Sequence, residues 1–205
     1  VVVVDAYREG NDEPVHRSSA GVLVTRNGYV FAPLFVVRDA DFVIVSFDQE
    51  TRCPARVLAT DRNTQLAVLK AGAPPAGVTV PELSPAAAER LEAVVALVAP
   101  KAAGGRALPG KIMVTDRNAG PFQGVLEVEL QGEPGPLGGI LLDQEGRLAG
   151  MAVGTVAPEG ETGGAGAGRT RLLVIPSSQM RQSLDRILTG MPGTDLEGER
   201  ELLTS

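Results

Sequence analysis

Residues 21–37, GVLVTRNGYVFAPLFVV, decide the fold. An apolar, β-branched run enters Arg26-Asn27-Gly28 and leaves again as Tyr29-Val30-Phe31-Ala32. Asn-Gly between two apolar runs is a strong hairpin signal, because both residues tolerate positive φ. Strands are therefore expected over residues 20–25 and 29–32. The same grammar continues outward. Residues 1–6 (VVVVDA), 42–47 (FVIVSF), 52–59 and 65–70 (QLAVLK) read as further strands. Residues 71–81 (AGAPPAGVTVP) hold too much Pro and Gly for a helix or a central strand, and read as a link.

Beyond the link, strands recur near residues 92–98, 111–115, 124–130, 139–142 and 147–153. Asp143-Gln144-Glu145-Gly146 joins the last two as a hairpin. Residues 85–91 (PAAAERL) suit one or two helical turns, and residues 156–168 (VAPEGETGGAGAG) a low-complexity connector. After a strand at 171–175, Pro176-Ser177-Ser178 opens a helix with serine as its N-cap. Met180, Leu184, Ile187 and Leu188 share one face of that helix, and Gly190 and Pro192 end it. The acidic tail from residue 194 is expected to fray. The fold class that follows is all-β: two six-stranded β-barrels (residues 1–70 and 83–175), a linker at 71–82, a C-terminal α-helix at 176–189 and a tail at 190–205.

Composition narrows the function. Two hundred and five residues, 43% of them hydrophobic, fill one large domain or two small subdomains. A net charge of −6 argues against binding nucleic acid, which runs on clustered Lys and Arg. The single Cys53 excludes an internal disulfide and a cysteine-based zinc site, and the single His16 excludes any mechanism with two histidines. No apolar run reaches the ~20 residues that span a bilayer, so no membrane insertion is expected of this segment. No ligand spacing points to a metal, and the glycines at 163–168 lack the Lys-Ser/Thr that completes a phosphate loop, so no cofactor is expected.

The chain resembles the HtrA (Deg) branch of the trypsin-like serine proteases, from about Val1 to Leu188. Gly28-Tyr29, Val36-Val37 and Asp39-Ala40-Asp41 fall where that family writes G-Y, V-V and its A-D segment. TDRNTQLAVLK (60–70) is similar to T-D-x-x-T-D-L-A-V-L-K. ERLEAVVALVAP (89–100) looks like the strand that opens the second barrel. GPLGGIL (135–141) aligns with the G-N-S-G-G-P-L elbow, and LVIPSSQMRQSLDRIL (173–188) with the closing F-A-I-P-S segment and helix. The resemblance puts Phe35 at the catalytic histidine, Gln65 at the aspartate and Leu137 at the nucleophilic serine. Phe has no titratable nitrogen, Gln no charge to steady an imidazolium, and Leu no atom able to attack a carbonyl. Proteolysis is not expected. The elbow glycines persist, and backbone N–H groups of Gly135 and Leu137 stand where the family's oxyanion hole would be. They imply either a tight turn or a site for a peptide carbonyl or carboxylate.

Other groups read as structural. His16 looks like an exposed loop residue beside Ser18 and Ser19, and Cys53 like a packing thiol. Ser177 and Ser178 look like caps. Asp48 with Glu50, and Asp5 with Glu127 or Glu129, look like scattered surface carboxylates. Phe35 and Leu137 are expected to become buried and turn the old active site into core. The function expected is protein or peptide binding by an inactive domain. The alternatives are an architectural or oligomerising module, and a hydrolase working through His16 or Cys53. Family habit implies trimers contacting through residues 1–7, and a cell-envelope or secreted location.

Overall fold

The structure, a computed structural model, describes residues 1–9, 15–85, 88–90, 92–98, 106–135, 138–156, 169–189 and 194–196. The chain divides into two compact units, Val1–Pro81 with Gln179–Ser205, and Glu82–Ser178. In the first, β1 (Val2–Arg8), β2 (Val15–Leu23), β3 (Tyr29–Pro33), the one-turn α1 (Leu34–Val37), β4 (Phe42–Ser46), β5 (Arg52–Asp61) and β6 (Leu66–Lys70) follow in order. The strands pair antiparallel as β5-β4-β1-β2-β3-β6, and β5 also pairs with β6, which closes a six-stranded barrel. Strand alternation fills it: Val2, Val4 and Ala6 of β1 meet Val30, Val43, Val45 and Leu69 inside.

The opening hairpin differs in detail from expectation. Of its turn residues only Gly28 has positive φ, at 94°. Thr25 organises the loop by accepting the N–H of Tyr29 at 3.1 Å. A Cβ on Gly28 would stand 2.4 Å from the Gly72 carbonyl oxygen, so close backbone approach demands glycine there as much as the turn does.

The second unit contains β7 (Ala93–Val98), β8 (Arg106–Ala119), β9 (Phe122–Gln131), β10 (Gly139–Leu142), β11 (Leu148–Val156) and β12 (Arg169–Pro176). They close a barrel in the order β10-β11-β12-β9-β8-β7. Val94, Ala96 and Val98 point inward with Ile112, Val128 and Leu130. The β10–β11 turn forms as expected. Asp143 Oδ1 accepts the N–H groups of Glu145 and Arg147 at 3.1 and 2.8 Å. Burial works to raise the Asp143 pKa, but the Ser84 hydroxyl, these two amides and the Arg147 charge outweigh it and hold the carboxyl below its usual range. β8 runs far beyond residues 111–115, because its charged residues lie on the solvent face and three register shifts against β9 absorb its twist.

After β12 comes α2 (Ser177–Thr189), then β13 (Thr194–Leu196). The fully buried face of α2 is Met180, Ser183 and Ile187, with Leu184 half-buried. Ser177 Oγ donates to the Ser84 carbonyl at 3.1 Å, so this hydroxyl makes a tertiary bond where a cap was expected. The frayed tail is corrected in part: β13 pairs antiparallel with residues 59–61 of β5. No helix forms among the described residues of 85–91; Glu89 and Glu92 close a turn instead. The connector at 157–168 lies outside the described residues. Among the described residues no helix is long and apolar enough to cross a membrane.

Candidate functional site

Pro33 leads into α1 from an extended conformation, and the N–H of Arg38 closes the turn on the Leu34 carbonyl at 2.9 Å. Four apolar residues in one turn cannot all face inward. Leu34, Val36 and Val37 are buried, whereas Phe35 is left 42% exposed. The expectation that Phe35 has become core is therefore wrong for this side chain. Arg17, on β2, pins the turn from outside: its guanidinium donates to the carbonyls of Phe35 and Arg38 at 3.0 and 3.1 Å.

Gln65 stands beside this turn through its backbone. Its carbonyl accepts the N–H of Leu34 at 2.8 Å, one residue before Phe35. It takes a left-handed conformation, φ 60°, which strains most residues with a side chain. Its Nε2 donates to the Arg62 carbonyl at 2.6 Å, and the side chain is nearly buried. The amide thus closes its own loop. Neither Phe35 nor Gln65 presents a group that accepts a proton from a nucleophile.

Four residues upstream, Asp61 is completely buried. Its Oδ2 accepts Arg186 Nε and an Arg186 terminal nitrogen at 3.0 and 2.7 Å, and its Oδ1 accepts the N–H of Asn63 at 2.9 Å. Burial pushes the Asp61 carboxyl up. Hydrogen bonds from Arg186, the Ser183 hydroxyl, the Asn63 amide and the Thr64 hydroxyl overcome that and leave it below the usual range. This pair ties α2 to the end of β5.

In the second unit the glycines on either side of residues 136 and 137 are described. Gly135 and Gly138 have φ of 77° and 69°. A Cβ on Gly139 would stand 2.3 Å from the Leu97 carbonyl oxygen of β7, so only glycine lets β10 pair there. Leu137 lies outside the described residues, and so does any use of its N–H.

The other candidates resolve differently. His16 sits in β2, not in a loop; its ring stacks on Tyr7 at 4.6 Å between centroids. The structure brings His16, Ser18 and Asp5 together. His16 Nε2 lies 3.0 Å from both Asp5 Oδ1 and Ser18 Oγ, and Ser18 Oγ also donates to Asp5 Oδ1. A working triad is a chain, with serine on one ring nitrogen and carboxylate on the other. Here one nitrogen faces both groups and the serine proton goes to the carboxylate, so the arrangement is a triangle without a relay. Cys53 is half-buried, with its Sγ 3.8 Å from the Val45 carbonyl.

The acidic pairs have local duties. Asp48 Oδ1 accepts the amides of Glu50 and Thr51 at 2.8 and 2.6 Å, which lower its pKa. Glu127 is paired with Arg117 and, at 2.8 Å, with Arg171; Glu129 with Arg169 at 3.4 Å. Among the described residues no three His, Cys, Asp or Glu side chains gather as a metal site. The sequence reading missed Arg17, Asp61, Ser183 and Arg186 as a framework. Only the Thr60-Asp61 of the quoted motif hinted at it.

Comparison with known proteins agrees with this architecture. The family described as "Trypsin-like peptidase domain" matches residues 19–151. The chain is 29% identical over 184 residues to a probable periplasmic serine endoprotease DegP-like of Brucella suis biovar 1 (strain 1330), covering 88% of this chain and 34% of that protein. It is 28% identical over 158 residues to serine endoprotease DegS of Escherichia coli (strain K12), covering 73% of this chain and 44% of DegS. It is 27% identical over 161 residues to a DegP-like protein of Hahella chejuensis (strain KCTC 2396). The chain thus spans less than half the length of these relatives.

Proposed function

This chain belongs to the trypsin-like peptidase domain family, and from that premise we propose that it is a proteolytically inactive, HtrA-like domain that binds a protein or peptide. One observation carries the reading. The α1 turn and the β5–β6 turn are bonded to each other through the Leu34 N–H and the Gln65 carbonyl, yet they carry Phe35 and Gln65, which move no proton. The only imidazole, His16, is committed to Tyr7 and Asp5 on β1. Leu137, aligned with the nucleophile by resemblance, offers no attacking atom. Phe35 stands exposed at the turn and supplies apolar surface for a partner. Gly135 keeps a positive φ, which supports an elbow whose N–H groups donate to a carbonyl or carboxylate oxygen. The relatives named periplasmic favour a cell-envelope or secreted location.

The test is twofold. Purified chain is incubated with casein and with a nitrophenyl ester, and an affinity capture is run from native extract. The reading expects no hydrolysis above blank and one reproducible partner, lost on Phe35→Ser. Hydrolysis abolished by His16→Ala or Cys53→Ala would overturn it in favour of a hydrolase. Joint replacement of Phe35→His, Gln65→Asp and Leu137→Ser is expected to give weak activity at best.

A purely architectural role is favoured by a separate observation. Tyr7, His16 and Phe42 stack as a row across β2, β1 and β4, with Phe42 50% exposed. Val2, Val4 and Ala6 enter the core, so of residues 1–7 only the outward set is free for contacts between copies. Sedimentation of wild type against Phe42→Ser reads this out: a trimer that dissociates in the variant supports it.

A further inference from the structure

We propose that the mouth of the first barrel, beside α1, is an oxyanion pocket that receives a carboxylate or phosphate group of a bound peptide. The proposal deepens the binding reading and rests on it. Arg8, Arg17 and Arg38 line one small solvent-open pocket with Tyr7, Val15 and Val36. The register explains the convergence. Arg8 pairs with Val15, and its neighbour Ala6 with Arg17, at the end of the β1–β2 ladder, while Arg38 is the exit residue of α1.

Three cations in one pocket repel each other unless an anion joins them. Among the described residues no carboxylate stands within 4 Å of the charged groups of Arg8, Arg17 or Arg38, whereas Arg117, Arg171 and Arg186 elsewhere each hold one. In a chain of net charge −6 acidic partners are not scarce. Arg17 gives one terminal nitrogen to the carbonyls of Phe35 and Arg38, which fixes its fork and leaves its other donors for a ligand. Asp41, three residues after Arg38, accepts the Glu9 amide at 2.6 Å and is not among the residues lining the pocket. Planar guanidinium forks suit both carboxylate and phosphate oxygens, and the apolar wall of Val15 and Val36 suits the aliphatic part of a peptide.

The test titrates ¹⁵N-labelled chain with a Glu-rich peptide, the same peptide carrying phosphoserine, a charge-neutral Gln version and inorganic phosphate. Saturable shifts at Arg8, Arg17 and Arg38, and affinity falling roughly tenfold in the exposed double variant Arg8→Gln/Arg38→Gln, support the proposal. The stronger of the first two arms identifies the group as carboxylate or phosphate. Equal binding by the double variant, equal binding of the Gln peptide, or peptides no tighter than free phosphate would each overturn it. Partner capture with the same variant separates the two readings. A partner retained by the variant sinks the pocket and leaves the binding function standing; acidic peptides bound saturably by a chain that captures no partner do the reverse.

Discussion

Asp61 and Gln65 bracket a single turn, and each is held there in a different way. Asp61 is wholly buried, accepts Arg186 through two nitrogens and helps dock α2. Gln65 is nearly as buried, and among the described residues it bonds within its own loop and to Leu34. A residue that holds the scaffold is still the residue the motif prescribes. At the position that, in the proposed reading, would have steadied an imidazolium stands an amide. Scaffold and chemistry are separable because the first depends on buried pairing and the second on a charge at one point.

The largest expected effect therefore lies at Asp61. Removing one partner of a buried ion pair strands the other, so Asp61→Ala should cost about 3 kcal/mol in urea unfolding. Because the Asp61 carboxyl sits below its ordinary value in the folded chain, its contribution is complete above about pH 4 and is lost as pH falls through the lowered value. Asp61→Asn should flatten the fall in stability on acidification below about pH 4. An unchanged acid limb would show that the pair does not dock α2.

A smaller effect is expected at Gln65. Its side chain makes one bond, worth about 1 kcal/mol, and Asp tolerates the left-handed conformation better than most residues. Gln65→Asp should shift stability by less than about 1 kcal/mol and produce no peptide cleavage. A loss as large as that of Asp61→Ala would mean that the two ends of the turn are not different in kind.

The contrast also explains what the sequence could disclose. Both barrels were legible, because Val2-Val4-Ala6 and Val94-Ala96-Val98 alternate with a period of two, and because Asn27-Gly28 and Asp143–Gly146 punctuate the strands. The ends of β8 were not legible. Exposed positions of a barrel strand accept Asp116 and Asn118 without protest, so polarity there does not signal a loop. β13 was hidden for another reason: its pairing with β5 is a tertiary event that local propensity does not report. At the site, the residue types at 35 and 65 were readable, but their surroundings were not. Nothing local says that Phe35 is the one residue of α1 turned outward, or that Arg17, 18 residues earlier, holds that turn.

The smallest stability effect is expected at Phe35, and it sharpens the distinction most. An exposed side chain away from caps and cores usually alters stability by no more than about 0.5 kcal/mol, so Phe35→Ser should unfold at nearly the wild-type urea midpoint. If partner capture is nevertheless lost, Phe35 contributes to recognition and not to the fold. That result would support grouping the position with Gln65, as a site residue and not a scaffold residue. A destabilisation of 2 kcal/mol or more, by contrast, is the size expected of a buried large apolar side chain. It would return Phe35 to the scaffold with Asp61, and the separation of the two classes along this pair of turns would fail.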